Sequence, residues 1–208
     1  MTNEIAIPTE RGEVRALFDP PGHDCHAAAI LVGGADGGFE GPAESLYPAL
    51  AADLASMGCG TLRLDFRIHK FPNDVDEGVY DVRAGLAYVE RLGVTRVALV
   101  GHSFGGAVVI DAAVGSPQVA CVATLATQTA GAQRVGLLAP TPLLLIHGLN
   151  DIRLSPECSR LLHRLAGEPK RIVLLEGATH SLRQRREDVR RLLLHWFAHL
   201  LRPAAPAP

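Results

Sequence analysis

The sequence predicts an α/β fold, a mostly parallel sheet of eight strands with helices on both faces. Two observations carry that prediction. From residue 28 onward, short and fully apolar runs alternate with stretches whose apolar residues recur at helical spacing. Strands apolar along their whole length are strands buried on both faces, which is the βαβ arrangement. Ahead of them lie two extended segments, 4–8 and 14–18, joined by Glu10-Arg11-Gly12-Glu13. That linker has hairpin chemistry and predicts an antiparallel pair feeding one edge.

The remaining elements follow in order. Residues 28–32 form a strand ended by Gly33-Gly34. Residues 44–57 place Leu46, Leu50 and Leu54 on one helical face, and Gly58 stops them. Residues 61–64 are extended, and 65–78 read as a polar loop. Val79, Val82, Leu86 and Val89 mark a helix that Gly93 ends. Residues 96–100 are a strand running straight into Gly101, and 105–114 a buried, small-residue helix. Strands at 119–125 and 143–146 flank a loop at 127–140. Ser155-Pro156 opens a helix carrying Leu161, Leu162 and Leu165. Residues 171–175 are the last strand. Val189, Leu192, Leu193, Trp196, Phe197 and Leu200 give a C-terminal amphipathic helix. No internal repeat or second domain is visible: 1–201 read as a single domain and the Ala/Pro segment 202–208 as a disordered tail.

Composition removes several classes of function. The 208 residues carry a formal charge of −2, with no basic footprint for nucleic acid. No apolar run is long enough to cross a bilayer, and Met1-Thr2-Asn3-Glu4 has no signal-peptide character. Cys25, Cys59, Cys121 and Cys158 are scattered with no CxxC pair, so free thiols in a reducing, cytoplasmic compartment are expected.

In such sheets chemistry sits just past the carboxyl ends of strands. Gly101-His102-Ser103-Phe104-Gly105 stands at one of these ends, a strand-turn-helix with the GxSxG pattern of a nucleophile elbow. The glycines admit a turn too tight for side chains, and the following helix aims its N-terminal N–H groups at the serine. A serine hydroxyl needs a base, and the base an orienting acid. No Asp or Glu occurs from Ala112 to Asn150, so Asp151, just past 143–146, is the first candidate acid after the serine. His180, just past 171–175, is the candidate base. The other histidines have plainer readings. His102 is turned away from the serine by the elbow, and His147 packs under the acid loop. His163 lies on a helix. His195 and His199 share a helical face at i,i+4, but they lack the Glu of a HExxH site and a third ligand, so no metal is expected. The loop Val32-Gly33-Gly34-Ala35-Asp36-Gly37-Gly38 lacks GxGxxG and any P-loop Lys, which leaves an oxyanion-hole role open to it.

With Gly33-Gly34-Ala35, Gly-His-Ser-Phe-Gly at 101–105, His-Gly-Leu-Asn-Asp at 147–151 and Gly-Ala-Thr-His at 177–180 in that order, the chain resembles the α/β-hydrolase family from Glu4 to Leu201. It is similar to its small, dienelactone-hydrolase-like members. The resemblance implies that the backbone N–H groups of Ala35 and Phe104 form the oxyanion hole, and that Ser103, Asp151 and His180 act on a small-molecule acyl ester or thioester without a cofactor. Gly33 stands where many relatives have His. The short 127–140 loop, where relatives often insert a lid, implies no cap domain. Arg67, His69 and Lys70 read first as a solvated edge rather than a substrate clamp, and the Arg-rich 183–191 as a solvated helix face. Acyl transfer on the same residues, or a non-catalytic binding protein of this fold, are the alternative functions.

Overall fold

The computed structural model describes residues 2–23, 25–69 and 74–201 and, for His199 and Leu200, the backbone only. Lys70, the 202–208 segment and the His199 side chain lie outside the described residues. The strands are β1 (Asn3–Thr9), β2 (Gly12–Asp19), β3 (Ala27–Val32), β4 (Gly60–Asp65), β5 (Arg96–His102), β6 (Val119–Leu125), β7 (Leu143–Gly148) and β8 (Lys170–Leu175). Between and after them come α1 (Pro42–Ser56), α2 (Val75–Arg91), α3 (Phe104–Ala113), α4 (Glu157–Leu165) and α5 (Arg186–Leu200), with 3-10 turns at Gln133–Leu137 and Arg183–Arg185.

All eight strands join one sheet in the order β1-β2-β4-β3-β5-β6-β7-β8. β2 runs antiparallel to β1 and β4, and every later pairing is parallel. The alternation inside β3 shows why the strand is apolar throughout. Ala28, Ile30 and Val32 face one cluster with Val82, Leu86 and Val89 of α2 and Val108 of α3. Ala27, Ala29 and Leu31 face a second with Leu46, Leu50 and Leu54 of α1 and Val189, Leu193 and Phe197 of α5. Each fully buried Leu, Ile or Phe contributes about 1.5–3 kcal/mol, so the helices on the two faces hold the sheet from both sides.

Several boundaries differ from the sequence reading. α2 starts at Val75, not Val79, because Asp74 caps it: its side chain accepts from the Asp76 and Glu77 N–H groups. Gly78 lies inside this helix, where a Cβ would stand 2.8 Å from Val108 Cγ2, so glycine lets α2 and α3 approach. α1 enters through a left-handed turn at Ala43, Glu44 and Ser45 (φ 56, 54 and 66°) and becomes a right-handed helix after it. On α4 only Leu162 of the three expected core leucines is buried, with Leu161 39% and Leu165 55% exposed. No cap covers the sheet among the described residues. The loop between β6 and β7 is instead pinned to the body by Val135 and Leu138, both buried.

Candidate active site

The elbow after β5 is built by absent side chains. A Cβ on Gly101 would lie 2.1 Å from the Gly105 carbonyl oxygen, and one on Gly105 would lie 2.2 Å from the Gly33 carbonyl oxygen. Glycine at both positions lets α3 begin directly beneath Ser103 and against the end of β3. Ser103 itself has φ 53° and ψ −113°. That conformation costs a non-glycine residue about 1–3 kcal/mol and persists only where its surroundings over-determine it. They do so here: Ser103 N–H donates to Leu125 O (2.9 Å), and Ser103 O accepts from Gly106 N–H (3.1 Å) and Gln128 N–H (3.4 Å).

The structure brings the three expected side chains into one line. His180 Nε2 lies 3.1 Å from Ser103 Oγ, and His180 Nδ1 lies 2.7 Å from Asp151 Oδ2. A carboxylate only accepts, so Nδ1 carries the hydrogen and Nε2 faces the hydroxyl as acceptor. Asp151 is 5% exposed, and its Oδ1 accepts the Arg153 and Leu154 N–H groups at 2.9 Å each. Burial alone would raise the Asp151 carboxyl. The Leu154 N–H and the bond and charge of His180, aided by the Arg153 N–H, outweigh it and hold the group below the ordinary carboxylate range.

Ser103, His102, His180, Ser181 and Arg153 share a cavity of about 470 Å³ with the glycine loop 33–41 and Pro42. A Cβ on Gly34 would come within 3.6 Å of Ser103 Cβ, so the backbone of that loop lies directly over the serine. Ala35 lines the same cavity, and Phe104 is the first residue of α3. The loop is held from behind by two side chains that the sequence reading did not connect with it. Asp65 Oδ1 accepts the Gly38 N–H (2.7 Å) and pairs with His69 Nε2 (2.9 Å). A Cβ on Gly37 would fall 2.2 Å from His69 Nε2. The i,i+4 spacing of Asp65 and His69 across a strand end was the available signal.

Four expectations need correction. His102 is not turned away from the site: its ring lines the cavity 5.0 Å from the His180 ring, and its Nε2–H donates to the His180 carbonyl (3.1 Å) because the His180 turn crosses over the end of β5. Burial, offset in part by that carbonyl, pushes the ring down to about 4, so it is neutral at pH 7. His147 does pack under the acid loop, but it also reaches Asp151 directly, with Nε2 at 3.1 Å from Oδ2. Arg67 is not a solvated edge. Its side chain is 9% exposed and bonded to Asp81, Glu77 and the Arg11 carbonyl. The Arg-rich segment is likewise more than a solvated face, since Arg190 forms a bidentate pair with Asp53 of α1. Among the described residues no group of three or more His, Cys, Asp or Glu is arranged to hold a metal. No helix among them is long and apolar enough to cross a membrane.

No protein-family model and no curated protein sequence matches the chain. Solved structures do. The chain is similar to an α/β serine hydrolase without lid from Xanthomonas campestris, at 20% identity and TM-score 0.79, over 99% of this chain and 97% of that one. It is similar to dienelactone hydrolase from Anabaena variabilis, at 18% identity and TM-score 0.81, over 97% of this chain and 99% of that one. The esterase domain of a Rhodothermus marinus protein matches at 20% identity and TM-score 0.78, over 97% of this chain and 100% of that one. At such identities the likeness is one of fold. The chain has the cap-less α/β-hydrolase fold.

Proposed function

We propose that this protein is a serine hydrolase that cleaves a small carboxylic ester or thioester through an acyl-enzyme intermediate. The observation that carries the reading is the unbroken hydrogen-bonded line Asp151–His180–Ser103, which opens into the cavity under the glycine loop. His180 Nε2 takes the Ser103 proton as Oγ attacks the acyl carbonyl. Asp151 keeps the ring in the reactive tautomer and stabilises the imidazolium. The Phe104 N–H at the start of α3 and the Ala35 N–H of the loop bind the developing oxyanion, each worth about 3 kcal/mol. His180 then gives its proton to the leaving alcohol or thiol. Water, activated by the same nitrogen, releases the acid and regenerates the serine. This chemistry draws on no metal or organic cofactor. An esterase domain and a serine hydrolase among the structural matches support the assignment. The thiols Cys25, Cys59, Cys121 and Cys158 are all free, which fits a reducing compartment such as the cytoplasm.

The test is turnover of p-nitrophenyl acetate and butyrate by the wild type and Ser103→Ala. A loss on the order of 10⁶ in the variant is expected if the three residues act as a unit. Equal rates in the two proteins would overturn the assignment.

A further inference from the structure

We propose that His147 is a positioning residue that holds the Asp151 carboxylate in register with His180, an inference that rests on the hydrolase reading above. His147 is completely buried at the end of β7. Its Nε2 faces two acceptors, Asp151 Oδ2 at 3.1 Å and Leu154 O at 3.0 Å. Neither partner can donate, so Nε2 carries a hydrogen and shares it between them. On the other side, Nδ1 lies 2.7 Å from Ser159 Oγ of α4. A hydroxyl can give or take a hydrogen, so this bond suits a neutral ring. Burial favours the neutral ring too, lowering His147 against the opposing pull of the Leu154 carbonyl and Asp151. Ser159 therefore donates, Nδ1 accepts, and the tautomer is fixed.

The consequence lies at the carboxylate. Oδ1 accepts two backbone N–H groups, and Oδ2 accepts two imidazole N–H groups, from His180 and His147. A carboxylate with four donors placed around it cannot rotate without breaking at least two bonds. His147 supplies its bond without a positive charge, so it does not compete with the imidazolium that forms on His180. The line of bonds thus runs from Ser159 on α4 through His147, Asp151 and His180 to Ser103.

The experiment compares kcat, KM and the pH profile of kcat/KM with p-nitrophenyl acetate in wild type, His147→Leu and His147→Gln. The Leu variant loses the donor, and the Gln amide restores one near the Nε2 position. For Leu we expect kcat lower by about 10–100-fold with KM little changed, as for other losses of an orienting partner. With one donor fewer, the carboxylate keeps more negative charge facing His180, so the acid limb of the profile moves to higher pH. Gln should return both towards wild type. A Leu variant with wild-type kcat and pH profile overturns the proposal while Ser103→Ala leaves the hydrolase reading intact. A loss of kcat with no move of the acid limb and no rescue by Gln also overturns it, because that is what a packing defect gives. If the Leu variant does not fold, His147→Asn, whose amide is too short to reach Oδ2, is judged by the same outcomes. A wild type that turns over no ester and whose Ser103 takes no fluorophosphonate label overturns the hydrolase reading itself, and the proposal with it.

A separate observation carries a second inference: the geometry points to Cys25 and Cys59 as a pair that closes to a disulfide under peroxide. Their sulfurs stand 3.7 Å apart, just ahead of the adjacent parallel strands β3 and β4. They lie at the end of the sheet opposite Ser103. Burial pushes the Cys59 thiol up to about 12, so half-buried Cys25 meets the oxidant. The Cys25 thiolate attacks hydrogen peroxide, breaking the O–O bond to give a sulfenic acid and hydroxide. Cys59 sulfur then displaces the sulfenic oxygen, which leaves as water with the thiol proton. Two thiols are oxidised and one peroxide is reduced to two waters. Treated protein should become two hydrogens lighter by intact mass and lose two alkylatable thiols. Its Tm should rise by about 5–10 °C for a loop of this length, with p-nitrophenyl acetate turnover unchanged. Cys25→Ser should show none of this. Added oxygen on Cys25 in place of the cross-link would overturn the inference.

Discussion

Lowering the pH should destabilise this protein through His102. The ring is half-buried between the glycine loop and the His180 turn, donates to the His180 carbonyl, and stays neutral down to about pH 4. In the unfolded chain the same ring takes up its proton near pH 6.5. Between these limits the unfolded state binds more protons than the folded one, so stability rises with pH across the window and falls as the solution is acidified. At 1.36 kcal/mol per pH unit the full window corresponds to about 3 kcal/mol. The edge of the ring that faces the cavity still meets water, which cuts the expected loss to about 1–2 kcal/mol. For a chain of this size that is a fall in Tm of roughly 3–6 °C.

The assay is thermal denaturation of wild type and His102→Gln from pH 7 to 4. Glutamine can still donate to the His180 carbonyl but does not titrate. His147 and Asp151 are present in both proteins, so their contributions cancel in the difference. The two Tm curves should coincide in slope above pH 6.5 and diverge below it, with the wild type falling faster. Parallel curves through the whole window would refute the reasoning, since they would mean that the folded protein accommodates a charged ring at 102 as easily as water does.

Tyr47→Phe removes the hydroxyl that donates to Val32 O at 2.7 Å inside the core. A loss of about 1–2 kcal/mol is expected by chemical denaturation, together with a lower kcat, because Val32 leads into the glycine loop. Gly105→Ala would drive a Cβ to 2.2 Å from the Gly33 carbonyl. Both backbones must part, so ester turnover should fall by about 10²-fold, whereas Gly115→Ala, with nothing within 4 Å but a left-handed φ of 76°, should lower stability by about 1 kcal/mol and leave turnover unchanged. Asp81→Asn breaks the buried pair with Arg67 and leaves a guanidinium short of its partner. A loss of about 3 kcal/mol in equilibrium unfolding is expected, with turnover unaffected in the folded protein.

The sheet and its two helical layers were legible because burial on both faces writes itself as uninterrupted apolar runs, and a helix buried on one side as a 3.6-residue spacing. Ser103, Asp151 and His180 were legible for a related reason: each follows a strand at its carboxyl end, so the pattern that locates strands locates them as well. What escaped depends on partners distant in sequence. The left-handed turn at Ala43, Glu44 and Ser45 contains no glycine to announce it. It is held by the Ala43 N–H donating to Ser181 O at 2.8 Å, a contact with the far end of the chain. Arg67 has the composition of a surface residue, and its burial is decided by Arg11 of the β1–β2 turn and by Glu77 and Asp81 of α2. His102 was misread because the carbonyl that turns its ring into the cavity belongs to residue 180. His147 lay within reach, four residues from Asp151, as His69 did four residues from Asp65, but the i,i+4 spacing of a histidine and a carboxylate reads equally well as packing.

These long-range ties bear on how a site with no lid can be ordered. An enzyme with a cap assembles its pocket when the cap closes and expels water. Here the pocket walls are tied to the body and to one another. The glycine loop is held by Asp65 and His69 at the end of β4, and the entrance to α1 by the carbonyl of Ser181, next to His180. Ser103 is fixed through its carbonyl by Gly106 and Gln128, and Asp151 by Arg153, Leu154 and His147. Apart from the exposed His69, each tie uses a backbone group or a buried side chain, where the alternative to the bond is an unsatisfied polar atom costing about 1–3 kcal/mol. Exposed charge pairs such as Arg183 with Glu44 are worth little by comparison. Order in the site is therefore a property of the resting fold rather than of a closing step. On the function proposed above, an acyl-enzyme formed there would stay open to the water that must release it.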